Sequence, residues 1–403
     1  MANTLLTIDM ITREALRLAH EKATFLGTIN RQFDESFGRS DGKIGDTLRI
    51  RLPSQYTRRT GSRVMDVQDS EQIKTTLVVA TQDGVDMRVN SRELALDLEN
   101  FSKLHLEPAM ATLISGIESD VLQGVSKKVW NVAGTANTTI STLAAPGRAR
   151  AKLNQNLAPK DKNRAIQMDS VTMGDLVEGL KGLFQDSGQI KEQYREGLIG
   201  RTAMADYYEN ERVWSMVNIA DLTCTLSTYT IVDGDEDLVV SSWATPNAGM
   251  VFTVAGIYDV HPETKAAYSH LKQFVVLAGS TSSVISTYPI YLTGAKKNVG
   301  TAAGADLTVS TLTSAALTFQ GDVSSTYVQS LMYHKDAFTF ATADLPLMAG
   351  AEKCVRKMYD NLSLRVWQDG DIRNDELLTR IDILYGYAAI RPQWACRMIG
   401  AGV

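Results

Sequence analysis

SLRVWQDGDIRNDELLTRIDILYGYAAIRPQWACR, residues 363–397, is the stretch that decides the fold. Apolar residues lie on one side of a polar turn, and on the other side they alternate with charged residues: Leu364, Val366 and Ile372, then Ile381, Ile383 and Tyr385. Such alternation is typical of half-buried β-strands. Asp369-Gly370-Asp371 has the composition of a turn, so the stretch predicts two strands joined there. Nothing in it resembles a catalytic site.

Shorter phrases accompany this stretch in a fixed order along the chain. They are Glu196-Gly197-Leu198-Ile199-Gly200-Arg201, Phe252-Thr253-Val254-Ala255-Gly256-Ile257, His261-Pro262-Glu263-Thr264-Lys265, Phe274-Val275-Val276, Tyr333-His334-Lys335-Asp336-Ala337-Phe338 and Ala343-Asp344-Leu345-Pro346. Taken together, the phrases resemble the C-terminal region of major capsid proteins of tailed bacteriophages, in the subgroup typified by the P-twenty-two coat protein. The resemblance covers roughly the second half of the chain, whereas the first half matches in layout more than in words.

The resemblance implies an α+β fold of the Hong-Kong-ninety-seven capsid type, with an inserted all-β, barrel-like domain. The implied parts are an N-terminal arm (1–37), an extended β-hairpin loop (38–92), a peripheral domain with a long spine helix (93–170), the first part of an axial domain (171–219), the inserted β-domain (220–325), the return of the axial domain (326–358) and the C-terminal strands of the peripheral domain (359–403).

Residues 8–22 predict an amphipathic helix, with Thr7 as a plausible cap. Its apolar residues follow helical spacing: Ile8, Ile11, Ala15, Leu18 and Ala19. The pattern fits a helix packed on its own domain and an arm lying across a neighbouring subunit equally well. The resemblance favours the arm, which makes Ile11 and Leu18 candidate subunit contacts.

Residues 38–90 predict a long β-hairpin with a basic tip. Strand candidates are Thr47–Leu52, Ile73–Ala80 and Val85–Val89. A lone protruding hairpin buries too little surface to be stable by itself, so we expect it to rest on a partner. A solvated charged loop is the alternative. The resemblance implies a loop that overlaps the adjacent subunit, and the candidate contact residues are Arg49, Arg51, Arg58, Arg59 and Arg63.

Two further helices and a linker are predicted before residue 220. Residues 108–130 carry one apolar stripe and begin with Pro108, which suits a first helical position and matches the family's spine helix. Residues 146–168 are rich in Lys and Arg without interleaved aromatic residues, so we expect a solvated basic linker rather than a nucleic-acid contact. Thr172 with Asp175 predicts the capped start of another helix.

Residues 220–325 are rich in Thr, Ser and Val, with recurring short strand candidates and few helix signals. Strands at this spacing are typical of a small barrel or sandwich. Because helix-bearing sequence flanks the segment on both sides, it is interpreted as an insertion into a host domain.

Searches for chemical sites give no catalytic, cofactor-binding or metal-binding residues. The five histidines show no metal-ligand spacing, and the three cysteines match no metal motif. The acidic turn 233–237 lacks the order of an EF-hand loop. Asp344, Asp369, Asp371 and Asp375 lie in turn-like sequence without a partner histidine, so they are assigned to turn capping and subunit contacts, with Asp371 as a contact candidate.

Composition is that of an ordinary folded protein. The chain has 403 residues, 44% hydrophobic and 22% charged, and its net charge of -5 excludes a strongly basic nucleic-acid binder. The sequence predicts no membrane span and no signal peptide, and an odd number of cysteines argues against a secreted disulfide scaffold.

These observations predict a shell subunit that self-assembles as hexamers and pentamers around double-stranded DNA, and not an enzyme. The implied partners are copies of itself, a separate scaffolding protein, a portal protein and packaged DNA without sequence specificity, with a decoration protein as a further candidate and assembly in the bacterial cytoplasm. The alternative is a β-rich carbohydrate- or receptor-binding structural protein, whose binding element would be residues 220–325.

Overall fold

A computed structural model describes most of the chain. The described residues are 8–31, 47–54, 56, 58, 61, 65, 67, 74–90, 105–180, 201–227, 229–230, 232–241, 243–307, 311–312, 314–348, 353–359, 362–371, 373 and 376–402. Thr7, Arg59, Arg63, Asp375 and the phrase 196–200 lie outside them. No helix among the described residues is long and apolar enough to cross a bilayer.

Helices and strands alternate along the described residues, which confirms the predicted α+β class. The helices are α1 Ile8–Lys22, α2 Glu107–Ser126, α3 Ala144–Gln155 and α4 Ser170–Leu180. The strands are β1 Thr47–Arg51, β2 Lys74–Val78, β3 Thr81–Asn90, β4 Val132–Gly134, β5 Arg164–Met168, β6 Asp206–Glu209, β7 Ser215–Val217, β8 Cys224–Thr225, β9 Tyr229–Thr230, β10 Asp235–Val239, β11 Val251–Val260, β12 Ala267–Val276, β13 Val284–Tyr291, β14 Val299–Gly300, β15 Thr311–Leu312, β16 Ala316–Phe319, β17 Thr326–His334, β18 Phe338–Ala343, β19 Lys353–Tyr359, β20 Leu362–Asp371, β21 Glu376–Ala389 and β22 Ala395–Gly402.

The chain divides into two compact units. The first is built from 1–52, 74–121 and 338–390, and the second from 53–73, 122–337 and 391–403, in each case the described parts.

The first unit is organised around the long strand β21. Its sheet has the order β18-β21-β20-β19, and β3 also pairs with β21, all antiparallel. The predicted strand pair is therefore confirmed, but the turn is displaced from its predicted position. Asp369, Gly370 and Asp371 pair with Leu378, Leu377 and Glu376, so β20 continues through Asp-Gly-Asp. Extended cross-strand pairing overrides the local turn preference of these three residues.

Helix α1 is confirmed over its predicted length, and it packs on β19 and β20 of its own unit. The turn that follows α1 is fixed by Glu118 of α2, which is fully buried. Its Oε1 accepts the N–H groups of Phe25 and Leu26 at 2.7 and 3.2 Å. Helix α2 covers most of the predicted 108–130 segment, although it ends at Ser126.

The β1–β2 hairpin is confirmed, with Thr47 opposite Val78 and Arg51 opposite Lys74. Its inner face is apolar, and Ile50, Leu77 and Val79 pack with Ala388 and Ile390 at the end of β21. The base of the hairpin is thus anchored on the unit's own sheet, and burial of one face supplies the stability that an isolated hairpin lacks.

Arginines on neighbouring strands fix the phrase Ala343-Asp344-Leu345-Pro346. Ser363 Oγ donates to Asp344 Oδ1 at 2.6 Å. Arg356 Nη1 donates to the carbonyl of Leu345 at 2.9 Å, and Arg365 Nη1 donates to that of Pro346 at 2.8 Å. Asp344 therefore contacts side chains of neighbouring strands within its own chain, and the turn-capping role predicted for it stays a prediction.

The second unit contains a sheet of order β4-β22-β17-β5-β6, in which β7 also pairs with β17. The prediction of a solvated linker at 146–168 is wrong, because this segment forms α3 and the fully buried strand β5. Ala149 and Leu153 of α3 pack into the core of this sheet. Arg164 is buried as well, and its guanidinium donates to the carbonyls of Pro159 and Ala158. Helix α4 begins at Ser170, with Asp169 rather than Thr172 accepting the capping bond.

Residues 224–319 form a second antiparallel sheet of order β10-β13-β12-β11-β16-β8, with β14 added on β11. Its core is aromatic and aliphatic, with Phe252, Phe274 and Tyr291 fully buried. Six of the strand candidates, near 222–226, 238–241, 251–255, 274–278, 284–286 and 317–319, each coincide with part of a strand. The seventh, 307–309, lies mostly outside the described residues. We refer to this part as the inserted sheet.

A polar seam joins the inserted sheet to β4. Gln273 Oε1 accepts the N–H of Val132 at 3.0 Å, and Gln273 Nε2 donates to the carbonyl of Val132 at 3.1 Å. One side chain therefore completes both backbone bonds of a buried strand residue. Nearby, the buried Arg397 donates to the carbonyl of Gly249 at 2.8 Å. Burial lowers the pKa of Arg397 to about 9, so its guanidinium remains charged at neutral pH.

We expect Gln273→Ala to destabilise the chain by about 2 kcal/mol, because the N–H and C=O of the buried Val132 would both lose their partners. The measurement is urea unfolding of the purified chain. Gln123→Ala on the exposed face of α2 is the control, with a change within about 0.5 kcal/mol. Equal effects of the two substitutions would contradict the role given to the seam.

Candidate subunit-contact surface

The outward face of the β1–β2 hairpin is basic. Arg49, Arg51 and Lys74 are exposed, with Arg51 directly opposite Lys74 in the register. Like charges opposite each other repel, so this arrangement does not serve the stability of the hairpin itself. In the part of the chain that the structure describes, none of the three forms an ion pair with a carboxylate. The face therefore presents uncompensated positive charge to solvent.

Beyond the strands, the connecting segment exposes both charge and apolar surface. Arg58 is exposed, and three large apolar residues are 65%, 81% and 77% exposed: Tyr56, Met65 and Val67. Exposed apolar side chains on a segment that also carries cations are typical of an interaction surface. Arg59 and Arg63, the other tip candidates, lie outside the described residues.

Ile11 and Leu18 have a different placement from the one that the arm interpretation required. They are 5% and 4% exposed and face the interior of their own unit. The helix packed on its own domain, which the sequence left open, is therefore what the structure has. A neighbouring subunit could contact these two side chains only if α1 left its sheet. Asp371 lies at the end of β20, paired with Glu376.

A buried histidine in the phrase Tyr333–Phe338 is fully engaged within its own chain. His334 Nδ1 accepts the N–H of Asp336 at 3.2 Å, so the ring proton lies on Nε2 and is donated to Asp161 Oδ1 at 3.0 Å. Asp161 has a lowered pKa: its burial acts against this, but the N–H of Asn163 and His334 outweigh burial by stabilising the ionised form. The phrase fastens the loop before β5 to the end of β17.

Residues that could bind a metal are not gathered in the described part of the chain, where no group of three His, Cys, Asp or Glu side chains converges. The acidic turn at 233–237 directs its carboxylates to its own surroundings. Asp233 accepts the N–H of Thr293 at 2.7 Å, and Asp237 accepts the hydroxyl of Ser286 at 2.6 Å.

Sequence reasoning missed the most buried charged groups of the first unit. Asp382, fully buried, accepts bonds from Arg365 Nη2 at 2.6 Å and Arg380 Nε at 2.7 Å. In the sequence these charged residues alternate with apolar ones, which predicts a solvent-facing side for them. The signal that could have found them is the close spacing of opposite charges on paired strands, which favours cross-strand ion pairs.

Comparison with known proteins matches one part of the chain to a protein family. The family model described as "P22 coat protein - gene protein 5" matches residues 230–402. No curated protein matches the chain at a significant level. A solved structure from Mycobacterium phage Che8 is similar with 11% identity and a TM-score of 0.48, covering 93% of this chain and 90% of that one. The capsid structure of the Cyanophage P-SCSP1u has 8% identity and a TM-score of 0.45, covering 89% and 84%.

The family match covers less than half of the chain. Over residues 230–402 it confirms the resemblance to phage coat proteins that the sequence phrases indicated. Three elements that the resemblance implied, the hairpin, the long helix and the inserted sheet, are present in the described residues. The alternative of a carbohydrate- or receptor-binding protein is not supported.

Proposed function

We propose that the chain assembles as hexamers and pentamers of a tailed-phage capsid, and that the basic hairpin is its main contact with the neighbouring subunit. The observation that carries the proposal is the contrast along the hairpin. Its base is anchored by Ile50 and Leu77, whereas its outward face and its tip expose cations and apolar side chains. A rigid base with an unsatisfied surface suits an element that binds another molecule.

Charge on the hairpin sets register and partner choice more than affinity. Exposed ion pairs contribute at most about 1 kcal/mol each, so Arg49, Arg51 and Arg58 would act by steering the hairpin onto an acidic surface. Affinity would come from burial of the apolar tip residues and from the number of neighbours that each subunit contacts at once. Arg59 and Arg63 are assigned the same steering role.

The inserted sheet would stabilise the subunit rather than act as a carbohydrate- or receptor-binding element. Support comes from the seam formed by Gln273 and Val132 and from the buried contacts of Trp130 and Val132 with Val251 and Val275. The domain boundaries given under Sequence analysis are kept as part of this proposal, except that residues 8–22 are assigned to the first unit, on which they pack, rather than to an arm. We further propose that the shell encloses double-stranded DNA, that scaffolding, portal and decoration proteins bind it, that assembly occurs in the host cytoplasm, and that the chain catalyses no reaction.

Electron microscopy of the chain co-expressed with a scaffolding protein tests the proposal. We expect closed shells from the wild type, and none from the triple variant Arg49→Glu, Arg51→Glu, Arg58→Glu, because three reversed charges would repel the acidic surface. The matched control is Arg49→Lys, Arg51→Lys, Arg58→Lys, which retains the charges and is expected to form shells. Shells of normal size and yield from the glutamate variant would overturn the role of the hairpin.

A further inference from the structure

Four lysines gather at one end of the inserted sheet around a single carboxylate. They are Lys152 of α3, Lys265 in the turn before β12, Lys272 of β12 and Lys297 in the turn before β14, and we call them the lysine cluster. Lys272 Nζ donates to Asp259 Oδ1 at 2.7 Å, and both side chains are more than nine-tenths buried. Among the described residues, Asp259 is the only acid paired with any member of the cluster.

The remaining ammonium groups are bonded to neutral acceptors. Lys265 Nζ donates to the carbonyl of Lys297 at 3.2 Å, and Lys297 Nζ donates to the carbonyl of Gly304 at 2.8 Å. Carbonyl oxygens hold an ammonium in place but do not neutralise it. Because each ammonium has three donors, both lysines retain donors for a further acceptor.

Repulsion between lysines of the cluster lowers the pKa values of two of them. Burial lowers the pKa of Lys265, and the charges of Lys272 and Lys297 lower it further. Burial also lowers the pKa of Lys152, against the attraction of Asp259 and Cys396 and with repulsion from Lys272. Lys272 thus repels both Lys152 and Lys265, and Lys297 repels Lys265, so an added anion would relieve this repulsion.

The backbone of Lys265 supports a role beyond folding. Its φ is +59°, in the left-handed region where glycine or asparagine is favoured. Its N–H donates to the carbonyl of His261, which closes the turn His261–Lys265. A long cationic side chain held in this conformation, and directed to a second lysine, is an observed strain of the kind that clusters at ligand sites.

Aromatic rings lie beside the cluster. Tyr268 stacks on His270 with ring centroids 5.2 Å apart, and His261 lies 6.0 Å from Tyr268. His261 Nδ1 accepts the N–H groups of Glu263 and Thr264, so its ring proton lies on Nε2. The Nε2–H of His261 is a further donor suited to an oxyanion, whereas His270 Nε2 lies 3.3 Å from Asp259 Oδ2 and serves that carboxylate.

We propose that the lysine cluster is a binding site for a phosphate-type oxyanion carrying more than one negative charge. Lys265 and Lys297, which are partly exposed, provide the outer donors, and Lys272 with Lys152 provides the inner positive field. Asp259 fixes Lys272 and keeps the unoccupied site folded. The phosphate could belong to a free nucleotide or polyphosphate, or to the backbone of a nucleic acid, and all of these present the same chemistry to lysine.

The test uses the purified full-length chain with pyrophosphate as the probe, at constant ionic strength. Binding to the folded state raises the melting temperature by mass action, so thermal unfolding and titration calorimetry report the same dissociation constant. We expect saturable binding by the wild type and at least a tenfold weaker constant for Lys265→Gln with Lys297→Gln. Glutamine retains a donor for the backbone carbonyls, so this variant is expected to fold.

Lys160→Gln with Lys162→Gln, two exposed lysines outside the cluster, is the control and is expected to bind as the wild type does.

Further arms of the experiment identify the source of the phosphate. Competition by a short duplex DNA that depends on Lys265 and Lys297 would support a nucleic-acid backbone, and its absence with pyrophosphate binding intact would support a free phosphate ligand. Absence of pyrophosphate binding, or an equal response from the cluster and control variants, would overturn the proposal. Binding of polyglutamate without pyrophosphate would also overturn it, in favour of an acidic protein partner.

Discussion

Asp382→Asn is expected to destabilise the first unit by about 3–5 kcal/mol, because it leaves a buried guanidinium without its counter-charge. Asp382 is fully buried and Arg365 is 4% exposed, with 2.6 Å between Oδ2 and Nη2. The second bond, from Arg380 Nε, raises the pKa of Arg380 by stabilising its charged form. An asparagine could keep hydrogen-bond geometry on one side, but it would supply no negative charge to either arginine. Urea unfolding followed by circular dichroism measures the loss.

A matched control removes a carboxylate that pairs with an exposed arginine, so that its effect can be compared with the loss of the buried Asp382 carboxylate. Glu376→Gln removes an acid from the same sheet, where Glu376 pairs with Arg88 at 3.3 Å. The Arg88 side chain is 70% exposed, so we expect a change of at most about 1 kcal/mol. The double substitution Arg365→Met with Asp382→Leu is expected to restore part of the stability, because apolar replacement removes both desolvation costs while the carbonyl of Pro346 loses its bond from Arg365. Equal losses from Asp382→Asn and Glu376→Gln would contradict this interpretation.

Local pattern predicted the elements of this fold better than it predicted their packing. Helix α1 and the strands of the hairpin and of the inserted sheet follow from periodicity, because each buries one face and exposes the other. The segment 146–168 could not be predicted in this way. Its lysines and arginines suggested solvent, but Arg164 is buried, and its Nε and Nη2 donate to carbonyls of its own loop. Charge count does not distinguish a solvated loop from a buried one when backbone acceptors are supplied by tertiary structure.

Some residues of the candidate contact surface could be predicted from the sequence, and others could not. Exposed cations on a strand, such as Arg49 and Arg51, could be predicted because alternation places them on the face opposite to Leu48 and Ile50. The placement of Ile11 and Leu18 could not be, since an apolar helix face looks the same whether it covers its own sheet or a neighbour's. The lysine cluster was also beyond the sequence, because Lys152 is separated from Lys272 by more than one element and only the fold brings them together.

A second large effect on stability is expected where the hairpin lies close to β21. Gly386 is buried, and a Cβ built on it would lie 2.1 Å from the carbonyl oxygen of Val78 and 2.8 Å from Val79 Cα. The obstacle is backbone, which cannot rotate away as a flexible side chain can. We therefore expect Gly386→Ala to cost about 3 kcal/mol, at the upper end of overpacking effects, and to displace the end of β2 from β21.

Displacement of β2 would act on the hairpin that we assign to assembly. Val79 packs beside Ala388 and Ile390, so a shift there would loosen the anchor of the basic face. Amide hydrogen exchange is expected to show faster exchange in β1 and β2, with β20 protected as before, and shells should not form. Gly116→Ala is the matched control: nothing lies within 4 Å of its Cβ, and an exposed helical glycine replaced by alanine should stabilise α2 by about 0.5–1 kcal/mol. Unchanged exchange in β1 and β2 of Gly386→Ala would refute the anchoring of the hairpin through this contact.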